Sequence, residues 1–250
     1  MDRRSEDQQR HVTPNGRRSA VAIMAKAPWP GEVKTRLCPP LSYEQAAELY
    51  RCFLLDKILQ VNTLQRAVPV ISYDRADAKP FFADLAPSSF VLVPQLGNDL
   101  GARLLSTFDQ LFNRGYRQVM AIDSDSPTLP TSYLEQAIEL METPETDVVL
   151  GPSDDGGYYL IGLRRPYPEL FEDMPWSTSH VLPETLRRSQ AMGLKVARLE
   201  SWYDIDTPED LSRLKASLEE TEAGQARHTK AIMASLHASR LHGPQRDDGR

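Results

Sequence analysis

The sequence has few cysteines and no long apolar run, and both shortages exclude whole classes of protein. Its 250 residues include two cysteines, Cys38 and Cys52, which have neither metal-ligand spacing nor the number that a disulfide framework needs. No stretch approaches 18 apolar residues, and therefore no membrane span is predicted. The first 18 residues lack the apolar segment of a secretory signal. These features indicate a cytoplasmic protein with reduced thiols.

Positively charged residues are fewer than negatively charged ones. The chain has 29 lysines and arginines against 35 aspartates and glutamates, a formal net charge of -6. Broad nucleic-acid binding usually requires a basic face, and so nucleic acid is not expected as a partner. A small basic pocket for an anionic small molecule is compatible with this balance, because such a ligand needs only a few local cations. The five histidines do not cluster in a ligand pattern.

Apolar strand-like runs alternate with amphipathic helical patterns along most of the chain. The predicted strands are Ala20–Ala25, Val68–Tyr73, Phe90–Val93, Gln118–Ile122, Asp147–Gly151, Tyr158–Leu163 and Lys195–Leu199. Alternation at this spacing predicts one Rossmann-like α/β domain, a mostly parallel sheet with helices on both faces. We place this domain at residues 19–218. Residues 1–18 are predicted to be a disordered leader, and residues 219–250 a polar tail, disordered or a frayed helix.

The most informative stretch is QVMAIDSDSPTLP, residues 118–130. A short apolar run suited to a buried strand ends at two carboxylates, Asp123 and Asp125, which project to the same side of an extended chain. Ligands of open α/β sheets bind outside the carboxyl ends of the strands. A hard divalent cation takes one or two carboxylates there and leaves its other positions to phosphate oxygens. The pair therefore predicts a metal–nucleotide site, and two solvated turn aspartates are the alternative.

The loop after the first strand, KAPWPGEVKTRLCPPL, is rich in cations. Lys26, Lys34 and Arg36 complement phosphate charge, and Gly31 lets backbone amides approach a ligand closely. The loop is not a Walker A motif, because GxxxxGK[ST] is absent. We predict phosphate contact by these four residues. The alternative is a proline-stiffened surface loop with solvated cations.

A second candidate phosphate segment, GNDLGAR, spans residues 97–103 and follows the third strand. Asp99 and Arg103 are secondary candidates for nucleotide binding. The simpler interpretation of Asp99 is the N-cap of the following helix, and the residue types at this position favour it.

The segment PSDDGGYYLIGL, residues 152–163, follows the fifth strand. If the reaction inverts configuration, Asp155 is the predicted general base for an acceptor hydroxyl, with Asp154 as the competing candidate. Gly156 and Gly157 would leave open space for that acceptor, and Tyr158 or Tyr159 would form one wall. A tight turn is the alternative, since Asp and Gly favour turns.

Near the end of the chain, WYDIDTPEDL spans residues 202–211. Helix capping accounts for the residues from Thr207 to Asp210 without any function. It does not account for Asp204 and Asp206, a second alternating carboxylate pair. Asp206 is the predicted third metal ligand, beside Asp123 and Asp125.

Taken together, the ordered motifs MAKAPWPGEVKTRLCPPLS, DLGARL, IDSDSPTLP, GPSDDGGYYLIGL, PWST and YDIDTPEDL carry a family resemblance. The chain resembles a bacterial family of GT-A-fold transferases, described as glycosyltransferases associated with radical-SAM enzymes, selenium-domain proteins or arsenosugar biosynthesis. The same superfamily contains the guanylyltransferases of phospholactate and molybdenum-cofactor chemistry. The resemblance covers about residues 20–215. It implies a GT-A-like fold, Mg²⁺ or Mn²⁺ as cofactor, and Trp176 of the PWST motif on the acceptor side.

Three functions are consistent with these residues. The first is a metal-dependent glycosyltransferase that uses a nucleotide-diphosphate sugar and a small-molecule acceptor, with Lys34, Arg36 and Asp155 as catalytic residues. The second is a nucleotidyltransferase that couples a nucleoside triphosphate to a phosphorylated small molecule. Many nucleotidyltransferases have a glycine-rich LxxGxGTR loop. This sequence has PWPGEVKTR in its place, which favours the first function. The third is a nucleotide-binding regulatory module without catalysis.

Overall fold

The computed structural model describes residues 19–222 and 224–241. Seven strands form one sheet in the order β3-β2-β1-β4-β6-β5-β7. Their bounds are β1 Ser19–Ala25, β2 Ala67–Tyr73, β3 Val91–Pro94, β4 Gln118–Ile122, β5 Val148–Pro152, β6 Tyr158–Leu163 and β7 Val196–Arg198. Every strand run predicted from the sequence therefore lies in the sheet, with ends that differ by at most one residue.

One strand of the sheet runs against the others. The pairs β1–β2, β1–β4, β2–β3 and β5–β7 are parallel, whereas β6 is antiparallel to both β4 and β5. The prediction of a mostly parallel sheet is confirmed. Because β6 is reversed, its first residue lies at the edge where β4 and β5 end. The five-residue turn before it, residues 153–157, is therefore at the carboxyl edge of the sheet as well.

Seven α-helices accompany the strands in the described part of the chain. They are α1 Tyr43–Asn62, α2 Lys79–Leu85, α3 Leu100–Asn113, α4 Thr131–Glu142, α5 Val181–Ala191, α6 Pro208–Glu220 and α7 Arg227–Leu241. Capping boxes explain where two of these helices begin. Ser42 and Gln45 form the box at the start of α1, and Thr207 and Asp210 form the box at the start of α6. No helix among the described residues is long and apolar enough to cross a membrane.

Alternate residues of each strand separate two hydrophobic clusters. On β1, Val21 and Ile23 face one cluster, whereas Ala20 and Ala22 face the other. The first cluster includes side chains of α1, α2, α4, α6 and α7. The second cluster includes those of α3 and α5. Helices therefore cover both faces of the sheet, as the sequence predicts, and the carboxyl edge is where polar side chains gather.

Two local predictions need correction. The helix over 76–85 was expected to be interrupted by Pro80, but Pro80 lies in the first turn of α2, where a missing N–H costs nothing. The tail was expected to be disordered or frayed, yet residues 227–241 form α7, which packs on α1. The predicted leader over 1–18 lies outside the described residues.

A buried carboxylate explains why α7 forms. Asp56 of α1 accepts hydrogen bonds from the backbone N–H groups of His228 and Thr229, at 3.0 and 2.8 Å. It also accepts one from the Thr229 hydroxyl at 2.7 Å. Asp56 thus acts as a cap supplied by another helix, satisfying N–H groups that the first turn of α7 leaves unpaired.

Replacing this cap should destabilise the fold. We expect Asp56→Ala to lower the free energy of unfolding by roughly 0.5–2 kcal/mol, the range for losing a helix N-cap. Urea denaturation followed by circular dichroism measures the change. The control is Glu135→Ala on the exposed face of α4, which should stay within about 0.5 kcal/mol of the parent. Equal stability of the two variants would contradict the capping role.

Candidate functional site

The candidate site lies at the carboxyl edge of the sheet, where the segments after β1, β2, β4 and β5 meet the segment before α6. Backbone hydrogen bonds hold these segments in place. Asp123 N–H donates to the carbonyl of Tyr159 in β6 at 2.9 Å, and Ile205 N–H donates to the carbonyl of Asp125 at 3.1 Å. The chain before α6 is therefore held beside the chain after β4, which brings Asp125 and Asp206 to the same place.

Lys34 lies between these two carboxylates. Its Nζ atom is 3.0 Å from Oδ2 of Asp125 and 2.7 Å from Oδ1 of Asp206. The Lys34 side chain is only 5% exposed, whereas those of Asp125 and Asp206 are 33% and 41% exposed. Arg36 adds a longer contact, 3.7 Å from its NH1 to Oδ2 of Asp206. The β1 loop and the two carboxylate segments thus share one ion-pair network.

The conformation of the loop fits this arrangement. Lys34 adopts the left-handed region, with φ 49° and ψ 32°, and Gly31 has φ 81°. A residue with a Cβ is disfavoured in that region by about 1–2 kcal/mol, so the ion pairs offset a local strain. Burial alone would lower the pKa of Lys34. The nearby Asp125 and Asp206 carboxylates outweigh burial, raise the pKa and keep the ammonium charged.

Asp123 points away from this network. Its Oδ2 accepts a hydrogen bond from the Ser126 hydroxyl, and its Oδ1 lies 3.8 Å from Nζ of Lys57. Burial raises the pKa of Asp123 to about 6, with a further contribution from Asp125, while Lys57 opposes the shift. Oδ1 of Asp123 has no hydrogen-bond partner among the described residues.

The three predicted metal ligands do not share one cation in the structure, and metal binding by Asp123 stays a prediction. Asp125 and Asp206 share Lys34, whereas Asp123 contacts Ser126 through Oδ2 and lies 3.8 Å from Lys57, with its Oδ1 left without a hydrogen-bond partner. Within residues 19–222 and 224–241, no group of three or more His, Cys, Asp or Glu side chains could hold a metal ion by itself. Any divalent cation would depend on two carboxylates from the chain and on oxygens of a ligand.

Asp204 is a further acidic group at this edge. The Ser153 hydroxyl donates to its Oδ1 at 3.3 Å. Burial raises the pKa of Asp204 to about 7, and the nearby Asp206, Asp155 and Asp123 carboxylates add to the shift. The negative charge of these aspartates is therefore concentrated around one point at the carboxyl edge.

A cavity of about 310 Å³ opens beside the β1 loop and holds two more predicted residues. Its lining includes Lys26 after β1, Asp74 after β2 and Arg103 from the first turn of α3. Arg103 is paired with Asp74 at 3.1 Å. The remaining lining residues are Ala27, Trp29, Glu32, Val33 and Arg75. Its volume is at the lower end of the range for ligand pockets, about 300–1,000 Å³.

Asp99 does not line this cavity. Its side chain accepts the N–H of Ala102 at 2.8 Å and caps α3. The capping interpretation of Asp99 is therefore confirmed, and nucleotide binding by Asp99 stays a prediction.

The turn after β5 separates its two aspartates. Asp154 pairs outward with Arg213, 2.7 Å from its Oδ2 to NH1. Asp155 folds over its own turn, where its Oδ1 accepts the N–H of Gly157 at 2.8 Å. Gly156 does not leave open space, because a Cβ there would lie 2.6 Å from the backbone of Ser179. The expectation for Gly156 is wrong for that reason: the missing side chain permits close packing against the start of α5.

The two predicted acceptor-side aromatics contact each other. The rings of Tyr158 and Trp176 lie edge to face with centroids 6.5 Å apart. Trp176 also packs closely on α3, since a Cβ on Gly101 would be 2.7 Å from its Nε1. Both side chains are partly buried, and together they form an aromatic wall between α3 and β6.

Sequence reasoning missed three residues that contact the candidate site residues or their backbone. Lys57 and Tyr50 belong to α1, and Asp74 follows β2. The signal for Lys57 was available: it lies seven residues after Tyr50, on the apolar side of the helical pattern of α1. A cation in that stripe is unusual, since lysine is almost never fully buried unless it is paired.

The fold and this edge define a class: a single α/β domain of the nucleotide-diphospho-sugar transferase type. A protein from Desulfovibrio desulfuricans G20, provisionally described as a nucleotide-diphospho-sugar transferase, is 30% identical with a TM-score of 0.78, over 90% of this chain and 96% of that chain. Residues 55–178 match the family described as "Uncharacterized protein conserved in bacteria (DUF2064)". The chain belongs to the DUF2064 family.

More distant structures share the fold alone. A cytidylyltransferase from Leptospira borgpetersenii is 13% identical with a TM-score of 0.56, over 92% of this chain and 99% of that chain. A CMP:2-keto-3-deoxy-manno-octonic acid synthetase complexed with CTP is 11% identical with a TM-score of 0.53, over 81% and 99%. No curated protein sequence matches the chain. The association with radical-SAM or arsenosugar chemistry stays a prediction.

The two cations of the β1 loop should respond differently to removal. Arg36→Ala should weaken nucleotide binding about 10–100-fold, since a hydrogen bond to a charged group contributes roughly 1.5–3 kcal/mol. Its side chain is 72% exposed, so stability should hardly change. Lys34→Ala should weaken binding and also lower the melting temperature, because Asp125 and Asp206 lose their shared cation.

Titration calorimetry with nucleoside di- and triphosphates in Mn²⁺, together with thermal melts, measures both effects. Parental affinity in both variants would make Lys34 and Arg36 purely structural cations.

Proposed function

We propose that this protein is a metal-dependent glycosyltransferase that moves a sugar from a nucleotide-diphosphate sugar to a small-molecule acceptor. One observation carries the proposal: Lys34 and Arg36 of the β1 loop meet Asp125 and Asp206 at the carboxyl edge of the sheet. Cations that bind phosphate and carboxylates that bind a divalent cation are both needed where a diphosphate leaves.

The donor set at this edge fits Mg²⁺ or Mn²⁺. Asp125 and Asp206 lie close enough to share the Lys34 ammonium, and both carboxylates are accessible. Hard cations of this kind are bound in proteins by one or two carboxylates together with phosphate oxygens. Asp125 and Asp206 would hold the cation, which supplies charge neutralisation for the leaving diphosphate.

The chain's own cations complete the donor side. Arg36 is exposed beside Asp206, and its guanidinium is free to bind a phosphate in bidentate fashion. The adjacent cavity, with Lys26 and Arg103 in its wall, is suited to the nucleoside end of the donor. As the glycosidic C–O bond to the diphosphate breaks, negative charge builds on the leaving group, and Lys34 and Arg36 stabilise it.

The acceptor is proposed to approach from the side of the β5–β6 turn. Asp155 is the base: it takes the proton of the acceptor hydroxyl while that oxygen bonds to the anomeric carbon and the nucleoside diphosphate leaves. The hydrogen bond from Gly157 N–H fixes the direction of the Asp155 carboxylate. Tyr158 and Trp176 offer an aromatic wall against which an acceptor can pack.

A nucleotidyltransferase is the second candidate, favoured by the charge of the cavity wall. Lys26, Arg75 and Arg103 line the cavity together with Glu32 and Asp74, which pair with the two arginines and leave one net positive charge in the wall. This charge, beside Lys34 and Arg36, suits the triphosphate of a nucleoside triphosphate, whose α-phosphate would be attacked by a phosphorylated substrate. The substitution of the glycine-rich loop by PWPGEVKTR keeps this function in second place.

Product analysis distinguishes the two functions. The protein is incubated with Mn²⁺, a panel of nucleotide sugars or nucleoside triphosphates, and mixed small-molecule acceptors. Release of nucleoside diphosphate from a nucleotide sugar identifies the glycosyltransferase, and release of pyrophosphate from a triphosphate identifies the nucleotidyltransferase. Asp125→Asn, which keeps the shape but removes the charge, should abolish either activity and the metal-dependent nucleotide binding. Nucleotide binding without any turnover would favour the regulatory module instead.

The acceptor-side base can be tested separately from the donor side. Asp155→Asn should leave donor and metal binding nearly unchanged while turnover falls about 10²–10⁴-fold, the usual effect of losing a general base. Steady-state kinetics and donor titration measure the two quantities.

Asp154→Asn is the matched control, because its carboxylate pairs with Arg213 away from the turn interior. Its turnover should stay close to that of the parent. Reduced donor affinity in Asp155→Asn would move this residue to the donor side, and full activity would leave it as a turn residue only.

A further inference from the structure

One face of α1 is attached to the segment that follows β4. Tyr50, Lys57 and Gln60 are spaced by seven and three residues, which places them on the same side of the helix. Each of them makes a hydrogen bond to this segment, residues 123–129. The segment contains Asp125, one of the two carboxylates that share Lys34. The hydrogen bonds from α1 therefore constrain the position of Asp125.

Lys57 is the central and most deeply buried of the three attachments. Its side chain is 0% exposed, and its Nζ donates to the backbone carbonyl of Ser126 at 2.8 Å. The same atom lies 3.8 Å from Oδ1 of Asp123. Ser126 in turn donates its hydroxyl to Oδ2 of Asp123. Lys57, Asp123 and Ser126 therefore close a ring of polar contacts beneath the segment.

This ring is costly for a fold that needs only a core. Moving an ammonium and a carboxylate out of water costs several kcal/mol for each ion, and an apolar pair of similar volume is often as stable. The cost is explained if the ring fixes the backbone position of the 123–126 segment, which an apolar pair would not fix. Asp125 is two residues from Asp123, so the position of one constrains the other.

Tyr50 attaches the same segment to the end of β1. Its hydroxyl accepts the N–H of Lys26 at 3.0 Å and lies 2.9 Å from Oγ of Ser124. The Ser124 hydroxyl lies 3.4 Å from Oδ1 of Asp125. Gln60 completes the attachment, donating to the carbonyl of Leu129 at 2.5 Å.

We propose that Lys57 is a positioning residue, which holds the 123–126 segment from beneath so that Asp125 faces Lys34 and the nucleotide. Lys57 touches no substrate and takes no part in the chemistry. The inference rests on the proposed function for the importance of Asp125, but the geometry that it invokes is measurable without any ligand.

The experiment compares Lys57→Met with the parent and with Asp56→Ala. The control changes the adjacent residue of α1, which contacts α7 and makes no hydrogen bond to the 123–126 segment. Two quantities are measured at a temperature where thermal melts show every variant to be folded. They are amide hydrogen exchange over residues 119–130 and at Ile205, and nucleotide affinity in Mn²⁺. Lys57→Gln, which keeps a side-chain N–H donor, replaces Lys57→Met if that variant does not fold.

We expect faster exchange over residues 119–130 in Lys57→Met, and at Ile205, whose N–H donates to the Asp125 carbonyl. Nucleotide affinity should fall about 10–100-fold, the range for residues that orient metal ligands from outside. In Asp56→Ala, faster exchange should be confined to α7 and affinity should stay at the parental value. Parental exchange over 119–130, or parental affinity in a folded Lys57 variant, overturns the proposal. If the parent itself binds no nucleotide, the proposed function fails and the exchange comparison alone decides the role of Lys57.

Discussion

The ammonium of Lys34, shared by two carboxylates, is the interaction on which the carboxyl edge of this protein depends. It joins three chain segments that are distant in the sequence: the loop after β1, the segment after β4 and the segment before α6. Without this cation, Asp125 and Asp206 would repel each other at the carboxyl edge of the sheet. The segment after β4 and the segment before α6 are joined twice. The Ile205 N–H donates to the backbone carbonyl of Asp125, and Lys34 pairs with the side chains of Asp125 and Asp206.

Much of the fold could be predicted because it follows from alternation of apolar patterns. The strands from Ser19 to Leu163 and the helices between them have the periods that burial on a sheet demands. The reversed direction of β6 does not follow from its apolar pattern, which is the same in either direction, but from the five-residue connection before it, because neighbouring parallel strands need a crossover of a dozen or more residues. The tail was expected to be disordered or a frayed helix because its apolar stripe is weak, and the sequence does not show that Asp56, about 170 residues earlier, caps the helix over 227–241.

The residues of the candidate site could be predicted from the sequence, but which of them form ion pairs with one another could not. Lys34, Asp125 and Asp206 were each identified from their position after or before an element of the sheet. That Lys34 lies between the other two is a property of tertiary packing. Asp123 looks identical to Asp125 in the sequence, yet Asp125 pairs with Lys34, whereas Asp123 contacts the Ser126 hydroxyl and lies 3.8 Å from the buried Lys57. A rule based on alternate residues of a strand fails once the strand has ended.

The reversed strand β6 makes the two sides of the candidate cleft unlike in construction. On the side of β1 and β2, each strand leads into a connection to a helix, and the residues that face the cleft belong to those connections. On the other side, β5 and β6 are joined by a hairpin turn of five residues, and the ladder on either flank of β6 fixes both of its ends. The register of a hairpin depends on the type and length of its turn, and Gly156 of this turn packs against the backbone of Ser179. The wall formed by residues 153–157 is therefore fixed in length, whereas the connections that form the opposite wall can change in length without altering the register of any strand.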